Sequence, residues 1–175
     1  MMSKIAPGVI SPAILITLLS AGIARPAFAQ ACQTVGHPKL EALLPAIPGF
    51  TRGMPNGDTD NQEAVSRTTV DYESPGGMAT ISVELMDTCR NPDMLSQFRE
   101  YLKVGPPPTP GTTFRSMAVK GFPAYEEWTA VSQHAEIHIL VADRFAVKLT
   151  GDFANLPTVQ NAAQSIDLLK LAALK

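Results

Sequence analysis

Residues 134–150 read HAEIHILVADRFAVKLT. Ala135, Ile137, Ile139 and Val141 alternate with His134, Glu136 and His138, and beyond Asp143-Arg144 the residues Phe145, Val147 and Leu149 alternate with Lys148 and Thr150. A period of two in adjacent runs predicts two strands joined by a tight turn, each with one apolar and one polar edge. Strands of this kind belong to an antiparallel sheet with one face on a core and the other wetter.

The same pattern extends upstream. Thr112–Val119 and Phe122–Ala130 read as strands, punctuated by Lys120-Gly121 and Val131-Ser132-Gln133. Ala64–Glu73 and Met78–Thr88 form a hairpin about Ser74-Pro75-Gly76-Gly77, with Ala79, Ile81, Val83 and Leu85 opposed to Thr80, Ser82 and Glu84. Phe50–Gly53 opens a further strand, and Met54–Asp58 reads as a turn or mobile loop.

Three helices complete the order. Leu40, Leu43, Leu44 and Ile47 recur at helical spacing within Pro38–Ile47. Asn91 and Pro92 start a second helix, whose Met94, Leu95, Phe98, Tyr101 and Leu102 are expected on the apolar face of the sheet. Pro106–Gly111 is a stiff connector, and Val159, Ala162, Ala163, Ile166 and Leu169 form the stripe of a closing helix. The expected fold is α+β: an antiparallel sheet of about six to seven strands with helices packed mainly on one face.

Leu43-Leu44-Pro45 with Pro48-Gly49-Phe50, Lys120-Gly121-Phe122-Pro123-Ala124, Asp143-Arg144-Phe145-Ala146-Val147 and Ser165-Ile166-Asp167 resemble the corresponding pieces of small exported bacterial proteins. Their element order is similar to the PsbP/Mog1-like α/β/α sandwich, over roughly Leu40 to Leu174. These are packing and turn motifs, so the resemblance implies a fold and an accessory or binding role and no reaction.

The N-terminus reads as an address. Lys4 precedes an apolar run from Val9 to Ala24, and Ala27-Phe28-Ala29 is a small-x-small cleavage site, the layout of a secretory signal peptide over residues 1–29. Pro12 and Arg25-Pro26 break the run before the roughly 20 apolar residues a membrane span needs. One domain over residues 30–175 is left, of ordinary domain size and with no transmembrane segment. Its 12 basic residues face 16 acidic ones, a net charge of −4, with no basic stripe. Nucleic acid and anionic membranes are disfavoured as partners, because both need clustered positive charge. The expected location is periplasmic or secreted.

Cys32 and Cys89 are the only cysteines, and an oxidising compartment favours their pairing. The bridge would close a loop of nearly sixty residues, a constraint of about 4 kcal/mol in the chain-entropy picture. The alternative is cleavage after Ala31, which would leave Cys32 for lipoprotein anchoring.

No nucleophile elbow, phosphate loop, HExxH or complete calcium loop occurs. The sharpest constellation is His134, Glu136 and His138, which share one strand face at about 7 Å spacing and suit zinc or copper if a neighbouring strand supplies a further ligand. Met78 and Met86 would serve copper(I) if their strand lay beside it. Alternation places Tyr125, Glu127 and Thr129 on one face and Ala124, Glu126 and Trp128 on the other, with Trp128 a packing residue. Asp58, Thr59, Asp60 and Glu63 form an acidic loop with an incomplete calcium pattern. The expected function is that of an exported, non-enzymatic binding or accessory protein. It would use the polar sheet face or the Met54–Gln62 loop for a protein partner or small ligand, with no cofactor. The alternative is a periplasmic zinc- or copper-binding protein.

Overall fold

The computed structural model describes residues 32–89 and 91–174, and the segment read as a signal peptide, 1–29, lies outside them. The elements run α1 (His37–Glu41), β1 (Thr51–Arg52), β2 (Asn56–Asp60), β3 (Val65–Glu73), β4 (Thr80–Asp87), α2 (Pro92–Val104), β5 (Thr112–Val119), β6 (Phe122–Thr129), β7 (His134–Val141), β8 (Phe145–Asp152), α3 (Leu156–Ser165) and α4 (Leu168–Ala172). The class is α+β, with one open, antiparallel, eight-stranded sheet in the order β1-β3-β4-β8-β7-β6-β5.

β1 and β2 follow one another along the same edge of β3, pairing Thr51 with Glu73 and Asn56 with Thr69. One extra residue between them shifts the register, so a single lane is split by a bulge. The stretch from Met54 that reads as a loop therefore holds a strand over Asn56–Asp60, which pairs with Val65–Thr69 along the edge of β3 that faces away from β4. α2 and the proline-rich connector carry the chain from β4 to the far edge. The β5–β8 meander then returns and closes on β4, Glu84 pairing with Lys148.

Burial alternates along β3, β4 and β8 and through most of β7, whereas β5 is largely exposed and β6 is buried on both faces at its centre. Ile81, Val83, Leu85, Ile137, Ile139, Phe145, Val147 and Leu149 are fully buried, and α1, α3 and α4 cover them with Leu40, Val159, Ala162, Ala163, Leu168 and Leu171. Transferring this much apolar surface from water is the main driving term for the fold.

Two helices are shorter than their apolar spacing suggests. α1 ends at Glu41, because Pro45 cannot sit inside a helix without losing a hydrogen bond and striking the carbonyl four residues back. The Pro45 carbonyl instead accepts a bond from the buried Tyr72 hydroxyl at 2.6 Å, and Leu43, Leu44 and Ile47 still reach the core from the turn. The closing helix breaks at Ile166, which is extended (φ −71°, ψ 134°), and Asp167 caps a new helix by accepting from Lys170 N at 3.0 Å. The break turns Leu168 and Leu171 inward and leaves Leu169 69% exposed, contrary to the stripe read through Leu169.

α2 corrects a further expectation. It lies on the polar face of the sheet, not the apolar one, with Phe98 against Tyr125 and His138. The helices are thus on both faces, three on one and α2 on the other. The apolar face is already filled, whereas Tyr125 and His138 give α2 an aromatic platform on the opposite side.

Cys32 and Cys89 are joined, their Cα atoms 5.6 Å apart, so the Cys32 sulfur that lipoprotein anchoring would require is engaged. Beside the bridge, the buried Asp87 carboxylate accepts from Val35 N, Cys89 N and Arg144 Nε and Nη2 at 2.6–2.9 Å. Arg144 also donates to the Gln33 carbonyl at 2.9 Å. Asp87 raises the Arg144 pKa further by holding its charged form. No helix of the described residues is long and apolar enough to cross a membrane.

Candidate functional site

The polar face is built by register. Opposite residues of an antiparallel pair share a face, so β7 brings His134, Glu136 and His138 beside Thr129, Glu127 and Tyr125 of β6, and beside Asp152, Thr150 and Lys148 of β8. One lane further lie Thr80, Ser82 and Glu84 of β4, and then Glu73, Asp71 and Thr69 of β3.

Both histidines of the β7 trio approach Glu136, but His134 makes its shorter contact with Asp152. His134 Nδ1 lies 2.7 Å from Asp152 Oδ1, and its Nε2 is 3.5 Å from Glu136. His138 Nε2 donates to Glu136 Oε2 at 2.9 Å, and Lys148 Nζ donates to Glu136 Oε1 at 2.9 Å. The bond from His138, reinforced by Lys148 and opposed by burial, holds the Glu136 carboxyl down at about 2.

The tighter set of metal-type donors crosses strands. Ligand atoms of Glu127, Glu136 and His138 all lie within 4.8 Å of one another. Glu127 joins because β6–β7 register puts it directly opposite Glu136. Alternation already placed Glu127 on a face with Tyr125; what the sequence lacked was the strand pairing that aligns it with Glu136.

His138 is held by aromatic packing. Tyr125 stacks on it with centroids 4.5 Å apart, Phe98 meets its edge at 5.9 Å, and Tyr101 and Phe114 close around Tyr125 at 6.0 and 5.8 Å. Burial raises the Tyr125 phenol pKa, with Glu127 and Glu136 adding to the rise. Under α2 a cleft of about 130 Å³ is lined by Glu84, Met86, Phe98, His138, Ala146 and Lys148.

The remaining sequence features go elsewhere. Met86 reaches this cleft, but β8 separates its strand from β7, and Met78 precedes β4 on the surface, so no methionine pair forms beside the histidines. Trp128 packs against the core. Glu126, 4% exposed, is satisfied by Arg115 at 3.0 Å and by Gln160 at 2.6 Å. Asp58 pairs with Arg67, and Asp60 accepts from Gln62 N and Glu63 N, turning the acidic loop into a hydrogen-bonded turn.

Comparison of the chain with known protein families, with curated proteins and with solved structures finds no match.

Proposed function

We propose that this chain is an exported, non-enzymatic binding or accessory protein that receives a cationic ligand or a basic segment of a partner protein on the polar face of its sheet. One observation carries the reading. That face presents Asp71, Glu73, Glu84, Glu127, Glu136 and Asp152 against the fixed cations Arg67 and Lys148. Carboxylates concentrated on one surface raise the local concentration of cations and steer their approach. α2 covers part of the face, so a ligand would meet the rows from Thr80 to Glu136 with the aromatic cluster as a wall.

The Cys32–Cys89 bridge supports export, since such bonds persist in oxidising compartments. Helices on both sheet faces support the PsbP/Mog1-like sandwich. Backbone NMR of the purified protein with oligolysine and with oligoglutamate tests the binding reading. Expected are salt-sensitive shifts of Ser82, Glu127, Glu136 and Thr150 with oligolysine alone. Equal response to both peptides, or shifts confined to the α1 and α3 side, would sink it. So would turnover of a defined substrate that one substitution abolishes.

A further inference from the structure

We propose that Glu127, Glu136 and His138 bind a divalent first-row metal ion, and that Lys148 is the resident cation the metal displaces from Glu136. The inference rests on the polar face being a cation-binding surface and names one cation for it.

Three observations combine. First, the donor set is mixed: two carboxylates and one imidazole, with ligand atoms within 4.8 Å of one another. Donors on a tetrahedral ion stand about 3.3 Å apart given metal–ligand bonds near 2.0–2.1 Å. His138 Nε2 and Glu136 Oε2, at 2.9 Å, are already close to that spacing, with Glu127 within 4.8 Å of both; on binding, Nε2 releases to solvent the proton it donates to Glu136 and turns its lone pair to the metal. Three protein ligands leave a fourth position open for water or a bound molecule.

Second, Glu127 and Glu136 are directly opposed on neighbouring strands, an arrangement that costs stability when both are charged. Glu136 has His138 and Lys148 as partners, whereas among the described residues no ion pair or side-chain hydrogen bond reaches Glu127. A divalent ion between the two carboxylates neutralises a repulsion that Lys148 offsets on one side alone. The Lys148 side chain is 38% exposed and can swing its ammonium into water.

Third, the imidazole is already oriented. Tyr125 stacked on one face and Phe98 at the edge fix the His138 ring with Nε2 toward the carboxylates, the service that outer-shell groups give to metal-bound histidines. His134 lies outside the set: its Nδ1 is 2.7 Å from Asp152, and its Nε2 stands off from Glu136 at 3.5 Å.

The test is zinc titration by calorimetry, with cobalt(II) absorption as a direct report of ligation, on purified, oxidised protein without a histidine tag. One zinc per chain is expected. Glu127→Gln and His138→Gln should each weaken binding by about tenfold or more, as loss of a ligand or its support does. His134→Gln should leave affinity within about threefold, and Lys148→Met should tighten it, because no ammonium then competes for Glu136. An unchanged thermal melt in Glu127→Gln separates ligand loss from unfolding. Absence of zinc binding by the parent protein overturns the proposal, as does a Glu127→Gln protein that binds normally or a His134→Gln protein that loses zinc as severely as His138→Gln. If zinc fails while oligolysine still binds the face, the metal assignment falls and the broader reading stands. If both fail, both fall.

Discussion

Tyr125 lies flat on His138, their ring centroids 4.5 Å apart and their planes inclined by 12°. The two are directly opposite in the β6–β7 ladder, so the stack is a cross-strand pair that also roofs the site. Such pairs contribute about 0.5–1.5 kcal/mol beyond the area they bury. Phe98 reaches both rings from α2, which makes the pair the anchor of that helix on the sheet.

Tyr125→Leu keeps apolar bulk but removes the stack and the hold on Phe98. We expect a loss of about 1–3 kcal/mol in urea unfolding, together with a downfield move of the His138 ring protons as the ring current disappears. An unshifted His138 resonance would show that the stack does not persist in solution.

Asp87 is fully buried and accepts from two backbone N–H groups and from Arg144. Asp87→Ala leaves those donors unpaired and should cost about 3–5 kcal/mol with the disulfide intact. Paired with Arg144→Met in a double-mutant cycle, it should show a coupling of about 1 kcal/mol or more, because both variants break the same contact. Simple additivity would contradict the geometry.

Gly151 of β8 lies under α3, where an added Cβ would collide with the Val159 side chain. Gly151→Ala should therefore destabilise by about 1–3 kcal/mol through overpacking. Adding Val159→Ala should return part of that loss, measurable as a partial recovery of melting temperature. A neutral Gly151→Ala would mean that α3 stands further from the sheet.

Glu136 offers a pH prediction. Its carboxyl sits at about 2 in the folded chain against an ordinary value of 4.5, chiefly because His138 donates to its ionised form. A lowered folded pKa means that the carboxylate contributes stability in full above about 4.5, and that the contribution fades as pH falls through about 2. Glu136→Gln should thus destabilise metal-free protein most near neutral pH, and the gap in melting temperature should narrow over that acid window. A gap independent of pH would place the effect in packing instead of charge.

The strands were legible because one-sided burial writes itself as a period of two. His134 and Phe145 each open a strand whose burial alternates as the residues do, while Thr112–Val119, largely exposed, was bounded by its turn residues instead. Turn chemistry was equally local: Lys120 and Gly121 take positive φ at the β5–β6 turn, where glycine carries no Cβ penalty. The cysteine pairing followed from there being only two. Helix ends were less legible, since the Pro45 constraint and the Asp167 cap compete with apolar spacing that runs on past them. The side of the sheet that α2 takes could not be read at all, because its aromatic stripe fits either an aliphatic core or an aromatic platform.

Local sequence, then, was enough for the long strands, the two-faced sheet and the placement of His134, Glu136 and His138 on the polar face, and it favoured the Cys32–Cys89 staple; strand Asn56–Asp60 and the helix ends it did not give. The lane order β1-β3-β4-β8-β7-β6-β5 was settled in three dimensions, and with it the grouping of Glu127 with Glu136 and His138 and the assignment of His134 to Asp152. The reason is physical. Alternation is a property of neighbours along the chain, whereas register across strands depends on which backbones pair, and a ligand set drawn from two strands exists only once that pairing is made.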